Sequence, residues 1–173
     1  MRVAPPVAAA DASAELTQKI ISLNLLAPLV LSQQAHSLLA QALDGGSIVN
    51  IASVSGARPS PGTAAYGAAK AGLLNVTKSL AMEWGPTIRV NALIVGLVHN
   101  EAGVEHYGGE EGFKRVADML PLKRMASPQD VANAVMLMCS DRASYISGAN
   151  LEVDGGGEVP VFLHLASEAS KAK

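Results

Sequence analysis

One stretch decides most of what this chain can become. Ser47 to Ile51 reads as a short buried strand, opened by the turn Asp44-Gly45-Gly46. Residues 54–64, with Pro59, Pro61 and Gly62, read as a loop. From Tyr66 to Trp84 the pattern is helical, and Gly85-Pro86 is a C-terminal stop. Thr87 to Ile94 is apolar and strand-like again. Two strands joined by a long helix pair in parallel, because the helix carries the chain back to the end of the sheet at which the first strand began. The unit demands a sheet with helices packed on it, an α/β layered fold.

The flanks extend the pattern. Residues 1–10 hold two prolines and no period, and read as loop. Asp11 or Ser13 can cap the next helix, with Glu15 favourable in its first turn. Leu16, Ile20, Leu23 and Leu26/Ala27 then recur at helical spacing, and the helix spans roughly 13–43 with an interruption at Pro28. A proline there has no N–H to give the carbonyl four residues back, which belongs to Asn24, so that carbonyl needs another partner. Beyond the second strand, residues 101–112 are polar and Gly-rich and read as a mobile loop. Phe113 to Met119 is a short helix, and Ser127-Pro128-Gln129-Asp130 opens another that runs to Met138. Ala149 to Val153 is the last strand. Residues 157–173 form a tail in which Val159 to Leu165 is apolar enough to pack on a neighbouring subunit. One domain, 1–173, accounts for the whole chain.

Composition narrows the function classes. Apolar residues make up 49% but aromatics only 3%, so the core must be aliphatic and small. A net charge of −2 gives no reason to expect nucleic acid or an anionic membrane as partner. No apolar run is expected to reach membrane-spanning length. Cys139 is the only cysteine, which excludes an internal disulfide and suits a reducing, cytoplasmic setting. Its apolar helical context reads as a small core residue. His99, Glu101, Glu105 and His106 have no metal-ligand spacing and read as solvated loop, so no metal is expected.

The chemistry concentrates around the first strand and the long helix. Tyr66 and Lys70 lie at i and i+4, on one helix face. A tyrosine ionises near pH ~10, and a cation within reach favours its phenolate, so the pair could exchange a proton with a substrate oxygen. Ser53, thirteen positions before Tyr66, ends the strand and could hydrogen-bond the same oxygen. A Tyr-x-x-x-Lys spacing alone is common on helix surfaces. The flanks carry the weight: Gly46-Ser47-Ile48-Val49-Asn50-Ile51-Ala52-Ser53-Val54-Ser55-Gly56, then Pro61-Gly62, Ala65-Tyr66 and Ala69-Lys70, then Arg89-Val90-Asn91-Ala92.

In these motifs, from about Asn24 to Gly156, the chain resembles the short-chain dehydrogenase/reductase family. The resemblance implies a Rossmann-like, doubly wound parallel sheet, here partial and lacking its first strands. It implies an oxidoreductase moving hydride between NAD(P), of unresolved type, and a ketone or secondary alcohol. Ser53, Tyr66 and Lys70 would be catalytic, with Tyr66 also cofactor-binding and Lys70 on the cofactor ribose. Asn24 would hold a relay water through its carbonyl. Gly96, Val98 and Asn100 match the segment that holds the nicotinamide carboxamide, with Val95 where a Pro and Asn100 where a Thr is usual. The 13–43 and 66–84 helices would pair across a dimer axis, with Ala27, Ala68, Ala71 and Gly72 allowing close approach.

One expected feature is missing. A nicotinamide enzyme needs a Gly-rich turn between strand and helix for the pyrophosphate, and Gly155-Gly156-Gly157 lies at the wrong end for it. Two readings follow: the catalytic half of a dehydrogenase, or an inactive relative that serves as an association polypeptide. No Gly-x-Ser-x-Gly surrounds Ser53 or Ser55, which argues against a hydrolase.

Overall fold

The computed structural model describes residues 5–99, 104 and 107–163. Its centre is a three-stranded parallel sheet in the order β1 (Gly46–Ser53), β2 (Ile88–Val95), β3 (Asn150–Val153). β1 and β2 pair along their whole length, from Gly46 opposite Ile88 to Ser53 opposite Val95. The long crossover helix, Ala64–Trp84, joins them as the sequence requires, and is called α4 below.

Helices cover both sheet faces, which is why the strand residues are apolar on both sides. On one face lie α1 (Ala14–Ile21), a π-helical segment (Ser22–Leu26), α2 (Ala27–Ala40) and α4. There Ile88 and Val90 pack with Leu80, and Leu29, Ile48 and Trp84 close around them. On the other face Leu93 and Val95 pack with Met138, beside Val49, Val131 and Val135. Those last two and Met138 belong to the helix Pro128–Cys139, labelled α6 below, which starts with a complete capping box between Ser127 and Asp130. A third cluster, Ala117, Leu120 and Met125, anchors α5 (Gly109–Met119).

The segment entering β3 is stitched to β2 by polar side chains. Asn91 donates from Nδ2 to the Ile146 carbonyl at 2.8 Å and accepts from the Ala149 N–H at 3.0 Å. Arg89 donates to the carbonyls of Met138 and Ile146. These bonds are the structural content of the Arg89-Val90-Asn91-Ala92 stretch.

The structure departs from sequence expectation in five places. Residues 109–112, read as the end of a loop, are helical and open α5. Residues 54–64 are not all loop: Val54–Ala57 forms a single helical turn, α3, capped by the Ser53 hydroxyl. The helix at Pro28 is not simply broken; the mismatch is taken up upstream by the π-helical segment, where the Ala27 N–H reaches the Ser22 carbonyl. Cys139 is exposed, not in the core, because α6 turns its Met138 side inward. Finally, the continuous helical run Ala14–Ala40 is by length and composition sufficient to cross a membrane. Here it forms a layer against α4 and β1, as an apolar layer helix of an α/β fold does.

Candidate active site

The C-terminal end of β1 and the first turns of α4 are held together by glycines. A Cβ on Gly56 would lie 2.7 Å from the Lys70 carbonyl carbon and 2.7 Å from the Ala71 nitrogen. One on Gly67 would lie 2.8 Å from the Ser55 carbonyl oxygen. Only residues without a side chain let α3 sit on α4 this closely, and the approach brings Ser53 to Tyr66. Both glycines stand inside the sequence motifs, yet sequence reasoning gave them no role; the Ser-x-Ser-Gly and Tyr-Gly-Ala-Ala runs were the available signal.

Ser53, Tyr66 and Lys70 converge. The Ser53 hydroxyl accepts from the Ser55 N–H at 3.2 Å, and its hydrogen bond with the Tyr66 phenol pulls that pKa downward. Burial is the larger influence, however, and the Tyr66 pKa lies above its ordinary value. The sequence expectation that Lys70 lowers it is not met. The Lys70 ammonium is 5.7 Å from the centre of the Tyr66 ring and donates at 2.8 Å to the Ile51 carbonyl. It is itself desolvated, and its pKa is lowered. In this arrangement Tyr66 is a protonated phenol at neutral pH.

Tyr66 and Lys70 open on one cavity of about 760 Å³. Tyr66, Lys70, Val98 and Asn24 line it, together with consecutive residues of β1 from Ser47 to Ala52. Asn24 is buried in the π-helical segment, its Nδ2 donating to the Ile20 carbonyl at 3.0 Å. That bond turns the amide nitrogen back along the helix. Val98 forms a parallel bridge with Ala126 through the His99 N–H and the Leu97 carbonyl. This geometry leaves Val98's own N–H and C=O directed to the other side. Gly96 serves packing, since a Cβ there would come within 2.8 Å of Asp154. Asn100 lies outside the described residues, as do Glu101, Glu105 and His106. Among the described residues no three metal-ligating side chains gather. Gly72 faces Leu25 of the same chain, so its missing side chain already serves an internal helix contact.

Comparison with known proteins identifies the family. A family model described as enoyl-(acyl carrier protein) reductase matches residues 3–158. The 3-oxoacyl-[acyl-carrier-protein] reductase FabG of Rickettsia felis is 38% identical over 139 residues, which are 80% of this chain and 56% of that protein. Dehydrogenase/reductase SDR family member 4 of Homo sapiens is 33% identical over 147 residues, 84% of this chain and 52% of that one. Among solved structures, a 4-hydroxyisoleucine dehydrogenase complexed with NADH superposes with a TM-score of 0.82 at 33% identity, over 90% of this chain and 65% of that one. The chain spans about half the length of the curated relatives it matches. The reach of the family model, the identities and the superposition together place this chain in the short-chain dehydrogenase/reductase family.

Proposed function

We propose that this chain supplies the catalytic half of an oxidoreductase that interconverts a ketone and a secondary alcohol with NAD(P). The observation that carries the reading is that Tyr66 and Lys70 share one cavity, with Ser53 against the Tyr66 phenol. The residues present fit the nicotinamide-ribose end of such a cofactor. Of the three N–H donors on the Lys70 ammonium, one is committed to Ile51, which leaves donors for ribose hydroxyls. The Val98 backbone groups and Asn100 suit a carboxamide. The pyrophosphate end finds no match: among the described residues no helix starts from a Gly-rich turn directly out of a strand.

When bound, the nicotinamide gives hydride to the carbonyl carbon or takes it from the alcohol carbon. The chain's own part is proton handling. Ser53 holds the substrate oxygen, and in reduction the protonated Tyr66 gives its phenolic proton to that oxygen. In the alcohol direction the phenolate takes the proton back, with the Ser53 hydrogen bond favouring the negative charge. The Asn24 carbonyl, left free by Pro28, would hold a water that returns the proton through Lys70.

The test uses the polypeptide as its gene encodes it, flanking sequence included, with NADH and NADPH against a panel of ketones. Tyr66→Phe is expected to lower turnover by ~10²–10⁴ while the cofactor still binds, as loss of a positioned acid/base group does. Near-normal turnover by the Phe variant would overturn the role of Tyr66.

One observation favours a second reading, an association polypeptide without turnover: the outer edge of β1 is unpaired among the described residues, beside exposed Leu23, Leu31 and Ile51. Absence of turnover with either cofactor, together with specific complex formation, would select it.

A further inference from the structure

Two polar side chains are buried at the interface between β1 and α4. Asn50 is 6% exposed and Thr77 is not exposed at all. Asn50 Nδ2 donates to the Thr77 hydroxyl at 2.9 Å, and that hydroxyl donates to the Leu73 carbonyl at 2.8 Å. Leu73 and Leu80, one turn to either side of Thr77 on the same helix, are also buried. A directional bond among apolar neighbours is satisfied in only one register, whereas leucine-on-valine packing tolerates small slides.

The bond has a companion. Lys70 donates to the Ile51 carbonyl, so adjacent residues of β1 are tied to α4 positions seven apart, two turns on one helix face. Two ties at that spacing fix both the slide and the tilt of the helix against the strand. Ser53 follows Asn50 by three residues on the strand, and Tyr66 lies on the Lys70–Thr77 face.

We infer that the Asn50–Thr77 bond is a positioning device that sets the register of α4 against β1 and thereby the approach of the Ser53 hydroxyl to the Tyr66 phenol. The inference rests on the reading of Ser53 and Tyr66 as the reacting pair. Asn50 and Thr77 act through that pair and are not catalytic residues.

The test needs no turnover. Phenolate titration by ultraviolet absorbance follows Tyr66, with Tyr66→Phe in each background subtracting Tyr107 and Tyr145. Ser53→Ala is expected to move the Tyr66 midpoint to higher pH, since it removes the hydrogen bond that favours the phenolate. Replacing both partners by apolar groups, Asn50→Leu with Thr77→Val, leaves no orphaned polar atom and keeps the melting temperature near that of the parent. In that double variant the Tyr66 midpoint is expected to rise as far as in Ser53→Ala, and adding Ser53→Ala is expected to move it no further. As a single change, Thr77→Ser, which keeps the hydroxyl, should titrate like the parent.

A double variant that titrates like the parent would overturn the inference and leave the bond a packing feature only. An unmoved midpoint in Ser53→Ala would instead sink the Ser53–Tyr66 pairing itself. Should the double variant melt early, Thr77→Val against Thr77→Ser makes the same comparison with a single hydroxyl.

Discussion

Lys70 shows how a legible residue can be misjudged in its electrostatics. Its partnership with Tyr66 followed from four-residue spacing, and the structure places both on the same cavity. The spacing could not tell that the ammonium would bond the Ile51 carbonyl, nor that burial would outweigh Ser53 at Tyr66. Both depend on long-range packing. The consequence is testable through the pH dependence of stability. A lysine whose folded pKa is depressed contributes stability that is full above its ordinary value of ~10.4 and lost as pH falls through the depressed value. Tyr66, with its pKa raised, works in the other direction: its contribution is full below pH ~10 and lost as pH rises through the raised value. Lys70→Met should therefore raise the melting temperature relative to the parent at neutral pH, and the gain should shrink as pH approaches 10. The effect is muted because the side chain keeps some contact with water. A melting difference that stays constant from neutral to alkaline pH would show that Lys70 is not desolvated.

At the scale of elements, strands and helices were largely readable, and the contact between α3 and α4 was not. Apolar runs, the Gly85-Pro86 stop and the Ser127 capping box gave β1, β2, α4 and α6 within a residue or two at most ends. The turn α3 was hidden because Pro59, Pro61 and Gly62 dominate the 54–64 stretch, while four residues of helix carry no period. The π-helical segment was hidden for another reason: Pro28 announces a missing bond, but where the helix widens depends on what Asn24 packs against. Gly56 is the position to probe. Gly56→Ala forces a methyl group into the backbone of Lys70 and Ala71, with no flexible side chain to give way. It should cost about 1–3 kcal/mol, as overpacking does, and it should move the Tyr66 titration because α3 carries the residues after Ser53. Gly85→Ala is the control, since its nearest neighbour would be the Ala81 carbonyl oxygen at an ordinary 3.5 Å. Equal melting of the two variants in chemical denaturation would show that the approach of α3 to α4 is not tight.

For the molecule as a whole, the groove beside β1 decides behaviour. The Gly46 N–H reaches the Thr87 carbonyl, so the alternate residues Ser47, Val49, Ile51 and Ser53 point their backbone groups away from β2. Lys70 takes one of those carbonyls. The Ser47 hydroxyl, which lines the same groove, is buried without a partner among the described residues. No Asp, Glu, Lys or Arg lies between Lys19 and Asp44, nor between Asp44 and Arg58, so neither α2 nor β1 carries the charges that usually guard an open edge. Leu31, 71% exposed, and Leu38, 78% exposed, add apolar surface to α2. The 173-residue chain alone is therefore expected to form dimers or larger species in light scattering. Leu31→Lys, which puts a charge on the groove without disturbing a buried contact, should shift it toward monomer. Calorimetric titration of the same chain with NAD⁺ and NADPH should show no tight binding, because the proposed contacts of Tyr66, Lys70 and Val98 would reach only the nicotinamide end. Tight, stoichiometric binding by a monodisperse chain would mean that other residues of the chain hold the pyrophosphate. A Leu31→Lys variant that associates as strongly as the parent would move the contact away from the groove.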